Sequence, residues 1–413
     1  MSRRGIGDQT RRALLAAPGL AAAVGMASAA AARPAARRPP SHRADYGFAP
    51  GLTYLNTASL GPTPRTIRAV MDEAWSELQT NPVYETYGDG PLNLRADAAR
   101  AQLAALLGCA ADDLLIGRST TDAMNTLALG MRLGPGDRIL TTDQEHEGAV
   151  YGWDHLARHG VIVDVIPIGP KDLDPAAIVR RFEAACTPAT RVISVSQVIT
   201  TTGHLMPVAQ IAALARARGI FCAVDGAQAL GQLPVDVKAI GCHAYAAPGH
   251  KWLMGPQGTG FLYLSPDALD RAQPVQLEAG HRFISNSVGT GCLPLAIGLG
   301  AAAEALRRRG PANVRARVLA LRRQAYEGLA KIPGLTPESA EDGPMITAMV
   351  AFHLPPAIDA NDLRQALRLK HQVIIKKVEP RWFNGIRLSP HIFNDEADVD
   401  RALWAIRREV VGA

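Results

Sequence analysis

Residues 220–228 read IFCAVDGAQ, a short apolar run that ends in an acid and a glycine. The apolar run is typical of a buried strand, and Gly226 allows the chain to turn directly after Asp225. Similar runs recur along the chain, with helical apolar spacing between most of them. Strands that alternate with helices predict an α/β fold, in which helices cover both faces of a mostly parallel sheet.

Seven such strands are predicted between residues 114 and 264, and they form the sheet of a large domain. They are Leu114–Ile116, Arg138–Thr141, Val161–Ile166, Val192–Val195, Ile220–Val224, Ala244–Ala246 and Gly260–Leu264. Helices are predicted at Pro64–Gln79, Leu92–Leu107, Thr121–Met131, Gly148–His159, Pro175–Ala185 and Val208–Arg218. The N-terminal stretch Tyr46–Leu60 is predicted to be extended.

The length of 413 residues favours a second, smaller domain, because one core seldom accommodates so long a chain. We assign residues 45–305 to an N-terminal segment with the large domain, and residues 306–413 to an α+β C-terminal domain. The elements predicted there are helices at Ala312–Lys331, Asp359–Leu369 and Glu396–Glu409, and strands at Ile346–Phe352, Val373–Lys377 and Gly385–Leu388.

The net charge of +6 is concentrated at the N-terminus. Residues 1–43 contain eight arginines and one acid, which contribute +7 and leave −1 for the remainder of the chain. The basic charge therefore gives no extended footprint for a phosphate backbone, and no nucleic-acid partner is predicted.

The N-terminal region has the pattern of an export signal. Arg11 and Arg12 precede an uncharged apolar run, Ala13–Ala32, which ends in small residues typical of a cleavage site. We expect residues 1–32 to be a twin-arginine signal peptide and residues 33–44 a disordered linker. The protein would then be periplasmic or secreted, without membrane attachment once the signal is removed; a single membrane anchor is the alternative.

The five cysteines are odd in number and contain no Cys-x-x-Cys pair. This spacing predicts neither a disulfide framework nor a zinc site. No metal ligand set is expected in the chain. Cys222 lies within a predicted strand and Cys242 at the start of another, so buried, inert thiols are expected.

Two residues at predicted strand ends carry the strongest chemical signal. Lys251 lies in Pro-Gly-His-Lys-Trp, 26 residues after Asp225, and follows the next strand along the chain. An amine binds pyridoxal 5′-phosphate (PLP) as a Schiff base, and a carboxylate keeps its pyridine nitrogen protonated. The alternative is a surface lysine in a loop.

Two further motifs follow strands and open helices. Thr120 and Thr121 are predicted to place hydroxyl and backbone N–H groups around a phosphate, although simple N-capping accounts for them equally well in isolation. His146 is predicted to stack on the pyridine ring; the alternatives are a capping or a solvated histidine.

The order of Thr-Thr, His, Asp-Gly-Ala-Gln and Gly-His-Lys resembles the class V aminotransferase family of fold-type I PLP enzymes, from about Tyr54 to Ala405. That family includes cysteine desulfurases and isopenicillin N epimerase-like proteins. The resemblance implies a role for each matching position. Lys251 holds the cofactor, Asp225 pairs with the pyridine nitrogen, Gln228 and Gln197 lie near the ring hydroxyl, His146 stacks on the ring, Thr120, Thr121 and His250 bind the phosphate, and Thr290 reaches the phosphate of a neighbouring subunit in a homodimer.

The resemblance also implies a small-molecule substrate, an amino acid or an amine. Arg387 would bind an α-carboxylate through two parallel hydrogen bonds, and Asn56 would line the mouth of the site. A structural arginine paired with an acid is the alternative for Arg387. No cysteine follows Cys292, which argues against a desulfurase that uses a cysteine nucleophile. The predicted reaction begins with loss of the α-proton and is that of an epimerase or aminotransferase; a β- or C–S lyase is the alternative, followed by a non-catalytic PLP-binding protein.

Overall fold

The structure is a computed structural model that describes residues 42–275 and 291–412. The strands in these residues are β1 (Thr53–Tyr54), β2 (Leu114–Gly117), β3 (Arg138–Thr142), β4 (Ile162–Ile166), β5 (Thr190–Ser196), β6 (Phe221–Asp225), β7 (Ala244–Pro248), β8 (Gly260–Leu264), β9 (Thr336–Pro337), β10 (Val350–His353), β11 (Val373–Ile374), β12 (Lys376–Lys377) and β13 (Gly385–Leu388). The helices are α1 (Arg65–Leu78), α2 (Pro82–Thr86), α3 (Pro91–Leu107), α4 (Thr120–Gly130), α5 (Glu147–Ala157), α6 (Pro175–Ala185), α7 (Val208–Ala217), α8 (Val237–Ile240), α9 (Leu293–Arg309), α10 (Pro311–Leu329), α11 (Ala360–His371) and α12 (Glu396–Val411).

The central sheet has seven strands in the order β2-β8-β7-β6-β5-β3-β4. Strands β3 to β7 pair in parallel, whereas β8 is antiparallel to both of its neighbours. The central strands β6, β7 and β8 are buried at every residue, as expected for a sheet covered on both faces. The predicted α/β fold and its seven strands are confirmed.

Helix α9 was not predicted, because its sequence lacks the periodic pattern of a surface helix. It contains two glycines, which lower helix propensity, and its buried residues are spread around the helix, so it lacks a clear amphipathic stripe. The glycines have a packing function: a Cβ on Gly300 would lie 2.3 Å from that of Ala99 on α3, and one on Gly298 would lie 2.7 Å from Met71 on α1. The three helices therefore approach more closely than larger side chains allow.

A second sheet, with the order β12-β13-β10-β9, is antiparallel and has its own hydrophobic cluster. Two predicted strands differ here. Residues 346–349 are not in a strand, since Thr347 donates to the Gly203 carbonyl and the Ala348 amide donates to Gln232. The predicted strand Val373–Lys377 is two strands, of which β11 pairs with β1 and β12 pairs with β13.

The N-terminal segment thus belongs structurally to both parts of the molecule. Leu55, next to β1, is fully buried in the hydrophobic cluster of the second sheet. The domain boundary at residues 305 and 306 stays a prediction. The predicted signal peptide and most of the predicted linker lie outside the described residues. Within 42–275 and 291–412, none of the helices has the length and apolarity needed to cross a bilayer.

Candidate active site

A cavity of about 660 Å³ lies at the carboxyl ends of the parallel strands, where α/β sheets bind ligands. The second sheet and the N-terminal segment complete its wall. Eight of the eleven predicted site residues line it: Thr120, Thr121, His146, Asp225, Gln228, His250, Lys251 and Arg387. Residues separated by 267 positions in the chain, Thr120 and Arg387, therefore meet at one site.

Lys251 follows β7 in a tight turn held by backbone hydrogen bonds. The Gly61 amide donates to the His250 carbonyl at 2.7 Å, and the Met254 amide donates to the Lys251 carbonyl at 3.0 Å. Burial lowers the pKa of the Lys251 amine to about 8; Asp225 opposes this shift, and the charges of Arg387 and Lys376 add to it. A lysine with such a pKa is partly neutral at physiological pH, as a nucleophile or base requires.

Asp225 ends β6 and is 5% exposed. Its carboxylate accepts a hydrogen bond from the Ala227 amide at 2.7 Å, which fixes its orientation. Burial raises the pKa of Asp225, while the Ala227 hydrogen bond and the positive charge of Lys251 lower it. Because a buried carboxylate is costly without a cation, this position is suited to a protonated ring nitrogen.

Two unpartnered polar atoms mark a candidate phosphate site. Ser119 caps α4 by accepting a hydrogen bond from the Asp122 amide at 3.1 Å. The Thr120 hydroxyl at the start of α4 and Nδ1 of His250 are both buried and have no hydrogen-bond partner in the described residues. A helix N-terminus with free polar groups is suited to an anion, because its backbone N–H groups and dipole favour negative charge.

His146 caps α5, because its Nδ1 accepts a hydrogen bond from the Gly148 amide at 3.1 Å. Burial and then the charge of Lys251 lower the pKa of His146 to about 4, so the imidazole is neutral at physiological pH. With Nδ1 as acceptor, its proton is on Nε2. Both predicted uses of this residue, capping and facing the cofactor cavity, are therefore compatible.

Gln228 lines the cavity, but its amide also joins three elements. Its nitrogen donates to the Ala58 carbonyl at 2.9 Å, and its oxygen accepts from the Trp252 indole at 2.8 Å. Thr200 lies beside it, with the hydroxyl 3.4 Å from the Gln228 nitrogen. Thr200 was missed in the sequence, where it occupies a run of three threonines without a distinguishing motif.

Gln197 and Asn56 do not line the cavity, so these two predictions are corrected. Side chains alternate along β5, and Ser196 faces Glu145, so the next residue points to the other side of the sheet. There Gln197 accepts a 2.6 Å hydrogen bond from the Tyr245 hydroxyl. Asn56 lies behind Ser59, which does line the cavity, and its Oδ1 accepts a hydrogen bond at 2.8 Å from the Ser59 hydroxyl. Thr290 lies outside the described residues, so the dimer contact assigned to it stays a prediction.

Arg387 reaches the cavity from β13 and is 4% exposed. One terminal nitrogen donates to the Thr200 carbonyl at 2.6 Å and to the Thr200 hydroxyl at 3.1 Å, and the other lies 3.4 Å from the Ser59 hydroxyl. Its Nε is buried without a partner, and no carboxylate of residues 42–275 or 291–412 lies within 4.0 Å of its guanidinium. The structural alternative, an arginine paired with an acid, is not observed in this part of the chain.

The rim of the cavity was not predicted as a functional segment. Residues 376–382 contribute Lys376, Lys377, Glu379, Arg381 and Trp382. Arg381 lies over the Trp382 ring at 4.1 Å and forms an ion pair with Glu147 at 3.1 Å. The mixed charge of these residues is typical of a solvated loop. Only the structure, which places them in the same cavity as His146, indicates a functional role.

None of the five cysteines lines the cavity, and all are free thiols. Cys222 and Cys242 are buried, as predicted, and burial raises the pKa of the Cys222 thiol to about 12. Cys292 is exposed. The described residues contain no group of three histidine, cysteine or acidic side chains placed to hold a metal ion.

The cavity residues match the functional groups of PLP. Lys251 supplies the amine, Asp225 the buried carboxylate, and Thr120 and His250 the unpartnered polar atoms beside a helix N-terminus. These features come from three different parts of the fold: the end of β6, the turn after β7 and the start of α4. Their convergence makes a coincidental arrangement of capping and surface residues a poor explanation.

Comparison with known proteins agrees with this assignment. The aminotransferase class-V family model matches residues 53–401. The chain is 33% identical over 381 residues to isopenicillin N epimerase of Streptomyces clavuligerus, which covers 86% of this chain and 94% of that protein. It is 30% identical over 332 residues to a probable cysteine desulfurase of Methanothermobacter thermautotrophicus, with 76% and 80% covered.

The fold agrees as well. A solved structure of a cysteine desulfurase from Thermococcus onnurineus superimposes with a TM-score of 0.80 at 22% identity, covering 90% of this chain and 98% of that one. The predicted family, fold and cofactor are therefore confirmed. The chain belongs to the aminotransferase class-V family and is a PLP-dependent enzyme.

Proposed function

We propose that this enzyme acts on an α-amino acid by removing the proton from Cα, in the manner of an epimerase or an aminotransferase. One observation carries the proposal: Lys251 and Arg387 line the same cavity, and no carboxylate of the described residues pairs with Arg387. A buried guanidinium without an acid is suited to a carboxylate from the substrate. An amine substrate has no group for it.

Arg387 orients the substrate. Its hydrogen bonds to the Thr200 carbonyl and hydroxyl hold the guanidinium plane in place, so that its remaining donors are available to a carboxylate. Burial lowers the pKa of Arg387 to about 10, which still leaves it charged at physiological pH. A preorganised, charged fork binds a carboxylate with little loss of conformational entropy.

Lys251 moves the proton. Its pKa of about 8 lets the same amine accept a proton from Cα and return it near neutral pH. When bound, PLP supplies an electron sink that stabilises the negative charge developing at Cα. Asp225 would hold the ring nitrogen, His146 would face the ring, and Thr120 and His250 would hold the phosphate.

The fate of the proton decides among the reactions. Delivery of a proton to the opposite face of Cα by a group other than Lys251 would give epimerisation, and delivery of a proton to the cofactor would give transamination. The similarity to isopenicillin N epimerase supports the first. A β- or C–S lyase is the second candidate, supported by the similarity to a probable cysteine desulfurase. Because no cysteine lines the cavity, that lyase would act without a cysteine nucleophile.

The test is to incubate PLP-loaded protein with a panel of L-amino acids, and with the corresponding decarboxylated amines, in deuterated water. We expect deuterium at Cα of at least one amino acid and of none of the amines. The D-isomer identifies an epimerase, a 2-oxo acid without free ammonia an aminotransferase, and a 2-oxo acid with ammonia and a released β-group a lyase. If no amino acid exchanges its α-proton, the proposal is wrong.

A variant pair isolates the role of Arg387. Arg387→Gln is expected to raise KM for the amino acid at least tenfold, because a charge-assisted hydrogen-bonded pair contributes about 1.5–3 kcal/mol. Arg180→Gln removes an arginine that is paired with Asp174 on the surface and should leave KM unchanged. Equal effects of the two substitutions would contradict the assignment.

A further inference from the structure

We infer that the substrate carries a second anionic group, and that Lys376 binds it while Arg387 binds the α-carboxylate. This inference rests on the proposed function, because it assigns the α-carboxylate to Arg387. The substrate class is a dicarboxylic amino acid. The argument starts from the register of two short strands.

Lys376 on β12 lies directly opposite Arg387 on β13 in an antiparallel pair. Directly opposite residues project from the same face of a sheet with their Cβ atoms about 5 Å apart. Both side chains line the cavity. Two like charges in this position destabilise the sheet, unless an anion lies between or beside them.

Among the described residues, a carboxylate is in contact with only one of the two cations. Nζ of Lys376 lies 2.8 Å from a carboxylate oxygen of Glu379. Arg387 forms no ion pair with an acid of these residues, and the charge of Glu379 affects it only from a longer distance, by opposing the effect of burial on its pKa. Glu379 also lies 3.6 Å from Lys377, so one carboxylate serves two lysines. Its side chain is 41% exposed, and such a pair breaks at little cost when a better anion arrives.

The charge of Lys376 acts inside the cavity and not only at its rim. It is among the causes that lower the pKa of Lys251, and it also lowers the pKa of His146, where burial and Lys251 have larger effects. Apart from Lys251 and Asp225, which the cofactor occupies, four cations of the cavity face two acids while His146 is neutral: Lys376, Lys377, Arg381 and Arg387 against Glu147 and Glu379. The residues assigned to the phosphate belong to other elements, so this wall keeps its positive excess for the substrate.

The experiment measures binding, independently of turnover. The PLP-loaded protein is titrated calorimetrically with succinate, glutarate and adipate, and with the monocarboxylates of the same chain length. At least one dicarboxylate should bind about tenfold more tightly than its monocarboxylate partner, because a second charge-assisted contact is added. L-glutamate and L-glutamine, and L-aspartate and L-asparagine, give the same comparison with the amino group present.

Three variants locate the effect. Lys376→Gln should abolish the preference for two carboxylates and leave monocarboxylate affinity within about threefold, whereas Glu379→Gln should strengthen the preference by removing the competing anion. Lys370→Gln is the matched control, because Lys370 forms an equivalent 2.9 Å pair with Glu409 away from the cavity. It should behave like the unchanged protein.

The outcomes separate this inference from the proposed function. Equal affinity for dicarboxylates and monocarboxylates, or a preference that survives Lys376→Gln, overturns the inference even if an amino acid exchanges its α-proton. Absence of α-proton exchange with every amino acid overturns the proposed function, whatever the carboxylate titrations show.

Discussion

At the scale of single residues, the site depends on charges that burial makes reactive. Lys251 retains an amine with a pKa of about 8 because desolvation disfavours its charged form and Arg387 and Lys376 repel it. Asp225 opposes this shift, so the pKa stays within reach of neutral pH. The opposing effects of burial and of Asp225 on the pKa of Lys251 thus make the amine suitable both for holding the cofactor and for moving a proton.

Replacement of Lys251 by alanine should abolish both functions. We expect the purified Lys251→Ala protein to lack the yellow absorbance that borohydride bleaches, and to lose at least 10³-fold in kcat, because the nucleophile and the base are removed together. Absorption spectra before and after borohydride measure the first effect. Lys331→Ala, at an exposed position, is the control. A bleachable yellow Lys251→Ala protein with ordinary turnover would refute the site.

Glu145 is a second buried acid, next to His146 and 7% exposed. It accepts hydrogen bonds from the hydroxyls of Thr142 at 2.7 Å and Ser196 at 2.5 Å. Burial raises the pKa of Glu145 to about 7; the two hydrogen bonds oppose the shift, and the charge of Asp225 adds to it. His146 was predicted to be a site residue from the sequence, whereas its neighbour Glu145 was not.

This raised pKa gives Glu145 a defined effect on stability. Because the folded pKa exceeds the unfolded value, its contribution is fully present below about pH 4.5 and is lost as the pH rises through 7. Glu145→Gln removes this dependence. The free energy of unfolding of the variant relative to the unchanged protein should therefore rise by roughly 2 kcal/mol between pH 5 and pH 8.

Urea unfolding at the two pH values measures the difference. Glu341→Gln, a substitution of an exposed glutamate, is the control and should show no such change. A difference between Glu145→Gln and the unchanged protein that is the same at both pH values would contradict the raised pKa.

At the scale of elements, the site depends on close backbone contacts that only glycine permits. The segment after β1 meets the turn after β7 at Gly61, where a Cβ would lie 2.0 Å from the Lys251 carbonyl oxygen. The same segment places Ser59 near Arg387 and the Ala58 carbonyl on Gln228. Any displacement at Gly61 is therefore transmitted to both ends of the cavity.

The substitution Gly61→Ala should weaken cofactor retention and lower the free energy of unfolding by about 2 kcal/mol, since a methyl group is forced against backbone. Thermal unfolding and the PLP dissociation rate are the two measurements. Gly134→Ala is the matched control, because nothing lies within 4 Å of its added Cβ. If both variants retain PLP equally well, the contact at Gly61 has no role in the site.

At the scale of the whole molecule, the cavity exists because three parts of the chain meet. The seven-stranded sheet provides Asp225 and Lys251, the second sheet provides Lys376 and Arg387, and the N-terminal segment closes the contact through Ser59. The hydrogen bonds of Arg387 to Thr200 join β13 of the second sheet to the turn that follows β5 of the central sheet. Removal of any one part would leave an incomplete site.

The location of the protein in the cell also belongs to this scale. We propose that residues 1–32 direct export of the folded protein by the twin-arginine route, since the cofactor is made in the cytosol and must be loaded before transport. Changing Arg11 and Arg12 together to lysine should retain the protein inside the cell, as shown by immunodetection in cell fractions. Arg37 and Arg38 changed to lysine are the control. Normal export of the Arg11 and Arg12 variant would contradict the proposal.

The chemical core of the site could be predicted from sequence because each of its residues lies at the carboxyl end of a strand or within four residues after it. Asp225, Lys251 and His146 come after short apolar runs, and the carboxyl ends of parallel strands always meet at one edge. Gln197 follows a strand too, but alternation along β5 turns it to the other face. The apolar pattern of the sequence does not specify to which face of the sheet the first residue after a strand points its side chain.

The sequence by itself determined the seven strands of the large sheet, most of the helices, the family and the cofactor, because these depend on local periodicity and on motifs a few residues long. The tertiary structure alone decided that Thr200 and Lys376 share the cavity and that Asn56 does not. Those positions depend on how loops and the second sheet pack against distant strands. Such packing results from many weak contacts between residues far apart in the chain, and these contacts cannot be inferred from the local sequence pattern.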